Sequence, residues 1–191
     1  EDGVWQYFSP TGQMIQEGSF RNGLYHGEWT WYYLDGSVHR KERYREGKEN
    51  GDFTEWSDTK SLLNKGRYEN GLKQGVWIED VNDHREEGNY LDGLKNGEWK
   101  HFDADGTVRF NGNFSFGIPD GKHIYSRANG STWRIERYEG GVKEGKWKLY
   151  TEENLIDQVI EYHQGEMIKV DGQTIQTRRE RRITKELKTE E

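Results

Sequence analysis

The chain has 191 residues, with 28 Lys and Arg against 35 Asp and Glu, a formal net charge of -7 and no cysteine. Without cysteine there is no disulfide framework, zinc ribbon or thiol nucleophile, and the acidic balance argues against a nucleic-acid partner, because phosphate binding needs a basic surface. Mean hydropathy is -1.21 and no apolar run approaches the roughly 18–20 residues of a membrane span, so burial must come mainly from the rings that make up 14% of the chain.

From the N-terminus onward the sequence is periodic. An aromatic followed three residues later by glycine recurs as Phe20/Gly23, Tyr44/Gly47, Tyr68/Gly71, Tyr90/Gly93, Phe114/Gly117, Tyr138/Gly141 and Tyr162/Gly165, at spacings of 24 residues with one of 22. Four residues after the first six of these stand Gly27, Gly51, Gly75, Gly97, Gly121 and Gly145, with Gly3 in the same register one repeat earlier. Two residues further come Trp5, Trp29, Phe53, Trp77, Trp99, His123 and Trp147.

Each unit reads as a β-hairpin. In the second, Gly27-Glu-Trp-Thr-Trp-Tyr-Tyr33 is a short aromatic strand, Leu34-Asp35-Gly36 a turn, and a second strand runs on to Tyr44. Six Asp-Gly and six Asn-Gly dipeptides lie between the aromatic segments. They are strong hairpin signals, because a type I′ turn needs positive φ at both central residues. The chain is thus expected to turn about every 12 residues, giving about 14 short strands. Trp29 and Trp31 share a face by strand alternation, and Tyr32 points the other way if no bulge intervenes. The expected fold is all-β: an elongated, twisted, solenoid-like antiparallel ribbon of about seven units, held by nearest-neighbour contacts.

The pattern Gly-x-Trp-x-x-Tyr/Phe, then Asp/Asn-Gly, then Gly-x-Tyr/Phe-x-x-Gly-x-x-x-Gly resembles the MORN repeat in its bacterial variant, most closely over Gly66–Trp77 and Gly88–Trp99. The resemblance covers residues 3 to about 172, which makes 1–172 the repeat array. His123 departs from it by standing where other units have Trp, and Lys169 by replacing the glycine of an eighth unit. What the resemblance implies is a β-hairpin solenoid used for scaffolding and protein contacts. Phospholipid binding has been proposed for some members, and many bacterial relatives carry an antitoxin label.

Residues 173–191 change character. Arg178, Arg179, Arg181 and Arg182 cluster in a charged tail, and Ile183 and Leu187 at i,i+4 suit a short helix. These arginines suggest a second use, peripheral contact with an anionic membrane surface, to which each contributes about 1 kcal/mol.

A search for chemistry returns no constellation. Gly140-Gly-Val-Lys-Glu-Gly145-Lys146 has phosphate-loop spacing, but Trp147 stands where a Ser or Thr must hold magnesium, and the same junction recurs in other units. Asp103-Ala-Asp105-Gly106 starts like a calcium loop, yet Val108 and Phe114 stand where glycine and a carboxylate are required. The six histidines show no ligand pair at helical spacing, and no carboxylate pair has a context that would raise its pKa. The expectation is a protein that is not an enzyme and takes no cofactor or metal.

Contiguous exposed apolar surface marks binding sites. Rings that the repeat does not demand are therefore the candidates for protein binding: Trp31, Tyr33, Phe110, Phe116, Tyr125 and Trp133. The functional expectation is a scaffold presenting a ribbon surface to a protein partner, with a membrane adaptor, an antitoxin-like binder and glycan binding through tryptophan as alternatives. A first residue Glu1 and a polar, cysteine-free array suggest the bacterial periplasm or outer membrane ahead of the cytoplasm.

Overall fold

A computed structural model describes residues 2–81 and 83–175. It is all-β, with seventeen strands, antiparallel pairing and no helix among the described residues. The tail arginines 178, 179, 181 and 182, and the expected helix there, lie outside the described residues. Contacts group the chain into two units, residues 1–96 and 97–191.

In the first unit the strands are β1 (Gly3–Phe8), β2 (Met14–Arg21), β3 (Leu24–Tyr32), β4 (Val38–Arg45), β5 (Lys48–Trp56), β6 (Leu62–Glu69), β7 (Leu72–Val81) and β8 (His84–Leu91), each paired with the next as a meander. The unit boundary falls inside β9 (Leu94–Phe102). The second unit continues with β10 (Val108–Ser115), β11 (Ile118–Ser126), β12 (Thr132–Glu139), β13 (Val142–Lys143), β14 (Gly145–Tyr150), β15 (Ile156–His163), β16 (Glu166–Val170) and β17 (Gln173–Thr174). Seventeen strands replace the expected 14 because one strand breaks at Glu144, whose N–H turns back to the Arg137 carbonyl, and because a last hairpin follows Gly165.

The Asp-Gly and Asn-Gly dipeptides do three different things, where a single turn type was expected. Asn22-Gly23, Asn70-Gly71 and Asp92-Gly93 have positive φ at both residues and close two-residue hairpins. Asp35-Gly36, Asp105-Gly106 and Asn129-Gly130 end wider turns in which glycine alone has positive φ. There the Asp or Asn side chain accepts a hydrogen bond from the backbone N–H two residues on, as Asp35 Oδ1 does from Ser37 at 2.9 Å. Asn50-Gly51, Asn96-Gly97 and Asp120-Gly121 lie inside β5, β9 and β11. At Gly51 (φ 131) the strand bulges, with Asn50, Gly51 and Asp52 facing Arg43 alone. The phosphate-loop look-alike is also a turn, with Gly140 and Gly141 at its tip.

One face of the strands carries the core. Trp29, Trp77 and Trp99 are almost wholly buried, and Phe53 and Trp147 nearly so. The indole N–H satisfies itself on the preceding strand: Trp29 donates to the Ser19 carbonyl at 3.0 Å, Trp77 to Arg67 at 3.2 Å and Trp147 to Arg137 at 3.0 Å. Such close packing needs glycine beneath the ring. A Cβ on Gly18 would lie 2.1 Å from Trp29, and one on Gly66 would lie 2.2 Å from Trp77. Phe20 and Tyr25 flank Trp29, and Tyr68 and Phe53 flank Trp77, at centroid distances of 4.3–5.6 Å. These are edge-on and stacked pairs that add to simple burial. Tyr32 faces the other way, as expected. Its hydroxyl donates to Glu17, whose strand partner Thr30 alternates with Trp29.

Candidate functional site

The glycine that pairs with the core ring from the following strand is missing at a few positions, and the candidate site lies at one of them. Opposite Trp5, Phe53, Trp77 and Trp99 stand Gly18, Gly66, Gly88 and Gly112, but opposite Trp29 and His123 stand Glu42 and Glu136. Both glutamates are buried. Each sits in the same alternating triplet on one strand, Arg40-x-Glu42-x-Tyr44 in β4 and Arg134-x-Glu136-x-Tyr138 in β12. The tyrosine hydroxyl donates to the carboxylate at 3.0 and 2.8 Å respectively. Arg134 Nε lies 2.9 Å from Glu136, and Arg40 Nε 3.7 Å from Glu42. Burial pushes the Glu42 carboxyl above its usual range, against the opposing pull of Arg40 and the Tyr44 hydrogen bond. Desolvation also raises Tyr44 and Tyr138, reinforced in each case by the neighbouring carboxylate.

In the second unit this break coincides with two more. His123 replaces the core Trp, and Pro119 stands where three other units have Lys73, Lys95 and Lys143 and two have Tyr25 and Glu49. Lys73, opposite Tyr68, lays its ammonium 4.4 Å over Trp77, and Lys143, opposite Tyr138, lies 4.5 Å over Trp147. Pro119, opposite Phe114, has no such arm to lay over His123. A cleft of about 440 Å³ opens here, lined by His101, Arg109, Phe110, Phe114, Pro119, His123, Tyr125, Ser126, Trp133 and Tyr138. His123, 2% exposed, imitates the indole it replaces: its Nε2 bonds the Asn113 carbonyl at 2.7 Å. A carbonyl only accepts, so Nε2 carries a hydrogen, and in the neutral ring Nδ1 is the acceptor.

The cations at the cleft are already committed. Arg109 donates to the Ser126 carbonyl and to Asp103, both at 2.8 Å. The Arg134 guanidinium lies 4.4 Å from the Tyr125 ring and 4.6 Å from Trp133 while pairing with Glu136. With its charges paired internally, the cleft presents rings and few demands for counter-ions.

Of the six rings singled out in the sequence, the second unit brings three to this cleft. Tyr125 is half-buried, and burial raises its hydroxyl pKa. Trp133 is 43% exposed. Phe110, expected to be exposed, is instead buried at 6% exposure, because it leans across Gly112 to fill space beside the smaller His123 ring, 5.3 Å away. Phe116 is exposed but does not line the cleft. It occupies a turn position at φ 47, a strained conformation for a bulky residue. In the first unit Trp31 is covered by Arg40, whose guanidinium lies 4.0 Å from its ring. Tyr33 is half-buried, and its hydroxyl donates to the Trp56 carbonyl at 2.8 Å.

Sequence reasoning passed over Pro119 and the two Arg-x-Glu-Arg-Tyr stretches, and read His123 only as a departure from pattern. Aligning the units on their core ring would have exposed all of them as coincident exceptions.

A family model described as the MORN repeat variant matches residues 1–22, 25–46 and 95–115. No curated protein matches the chain. MORN repeats are repeat modules generally associated with protein or membrane binding. The three matches fall on hairpins whose rings and glycines keep the same register as those between and after them, so these stretches are MORN repeats of the variant type.

Proposed function

We propose that this chain is a non-enzymatic protein-binding and scaffolding module, and that its partner is gripped at the ring-lined cleft of β10–β12. The observation that carries this reading is the cleft itself: an apolar recess with Trp133 exposed at its side and both arginines already paired. Protein side chains suit such a surface, since aromatic anchors in pockets dominate protein interfaces. Phosphate headgroups suit it less, because they need cations that are still free to bind.

A photo-reactive benzoylphenylalanine placed at Trp133 tests this in cells that express the protein. The expected result is a discrete adduct with a protein, absent when the same group is placed at Glu152. Failure of any protein adduct at position 133, together with sedimentation of the purified chain with anionic vesicles, would overturn the reading in favour of a membrane adaptor.

A further inference from the structure

We infer that the cleft accepts one aromatic side chain carrying a hydrogen-bond donor, an indole or a phenol of the partner, which donates to His123 Nδ1. This rests on the protein-binding reading above and specifies its chemistry.

The geometry points to a ring because the cleft is a local absence of one. Elsewhere the core position is filled by an indole or, at Phe53, a phenyl ring, with a lysine stem across it where Lys73 and Lys143 stand; here an imidazole and a proline take those places. Phe110 reclaims part of the space but leaves the recess open. An incoming ring would meet Phe110 and Trp133, surfaces that favour stacked and edge-on contact.

The donor follows from His123. Its Nε2 is spent on Asn113, and its Nδ1 has no hydrogen-bond partner among the described residues although the side chain is 98% buried, being 2% exposed. His123 lines the cleft, and Nδ1 is not among the polar atoms sealed from solvent, so a donor that enters the cleft can reach it and add a hydrogen bond to the ring contacts. Two other lining groups already have partners: the Tyr138 hydroxyl donates to Glu136, and Arg109 donates to Asp103 and the Ser126 carbonyl. A cationic ligand is disfavoured, because Arg134 already sits against the Tyr125 and Trp133 faces.

The test titrates the full chain with N-acetyl-tryptophanamide, N-acetyl-tyrosinamide and N-acetyl-phenylalaninamide while recording the imidazole nitrogen resonances by NMR. The first two should move the His123 Nδ1 resonance upfield. The phenylalanine compound should bind about tenfold more weakly, the usual worth of one hydrogen bond, and leave that resonance in place. Pro119→Lys, which restores the residue of neighbouring repeats, should reduce binding at least several-fold without lowering the melting temperature. His123→Trp, with its fold checked by circular dichroism, should abolish it. Equal binding of all three compounds with no shift at His123 overturns the inference, as does binding unaffected by Pro119→Lys. A protein adduct at position 133 with no His123 shift overturns it too, while leaving protein binding intact. A His123 shift without any protein adduct supports the cleft chemistry and counts against the protein partner instead.

Discussion

Gly66→Ala is the sharpest perturbation the fold offers. The backbone at Gly66 has no positive φ, so alanine meets no conformational obstacle there. In a strand interior it would ordinarily gain about 0.5–1 kcal/mol over glycine. Here its Cβ would lie 2.2 Å from Cδ2 and Cε2 of Trp77 and 2.6 Å from Cγ. These are rigid ring atoms, and the ring is held by its bond to the Arg67 carbonyl and by Tyr68 at 4.9 Å and Phe53 at 5.6 Å. Strand and ring must separate, and overpacking of this kind costs roughly 1–3 kcal/mol. The predicted sign is therefore the reverse of the propensity effect. In a Trp77→Ala background the clash is gone, and the same substitution should be neutral or stabilising by up to about 1 kcal/mol. Guanidinium denaturation followed by far-ultraviolet circular dichroism on all four chains measures this coupling. If Gly66→Ala is as stable as the parent, or costs the same in both backgrounds, ring-over-glycine packing is not what holds these strands.

Other substitutions test separate parts of the account. Trp77→Ala should cost about 3–5 kcal/mol and broaden or split the calorimetric transition, whereas Trp5→Ala, at a half-buried ring of the first strand, should cost clearly less. Lys60 holds φ 65 at the turn position where Gly36, Gly106 and Gly130 stand, so Lys60→Gly should stabilise by about 1 kcal/mol in the same denaturation assay. Burial, with Glu42 and Glu49 nearby, pushes the Tyr68 hydroxyl up to about 12, and Tyr44 and Tyr90 are raised as well. A raised folded-state pKa contributes stability that is fully present below the unfolded value near 10 and is lost as pH rises through the folded value. Phenolate absorbance of these tyrosines should therefore appear together with unfolding above about pH 10. Smooth titration of every tyrosine at its ordinary pKa, with the strands intact, would refute that.

Much of the fold was legible because a repeat writes its own alignment. The seven core positions and the aromatic-glycine corners fell out of spacing alone, and with them the strand faces. The turn assignments were less secure for a physical reason. Asn50-Gly51 and Asn22-Gly23 look alike in sequence, yet both a bulge and a hairpin corner need glycine at positive φ, so the dipeptide reports backbone conformation and not a change of direction. The site was only partly legible. Counting off-register rings found Tyr125 and Trp133, but exposure is decided by neighbours on adjacent strands. Trp31 is covered because Arg40, nine residues later, pairs directly across from it. Phe110 is buried because His123, on the next strand, is smaller than the indole it replaces. Neither contact has a local sequence signature.

Fluorine NMR of protein labelled with fluorotryptophan tests the central claim most directly, that one face of the strands is a ring core opened at the β10–β12 cleft. The chain has eight tryptophans. Trp29, Trp77, Trp99 and Trp147 should show almost no solvent isotope shift, and Trp133 a large one. Binding of a partner should move the Trp133 resonance while leaving those of Trp29 and Trp77 in place. A large isotope shift at any of the four core rings, or a shielded Trp133 in the free protein, would contradict the account.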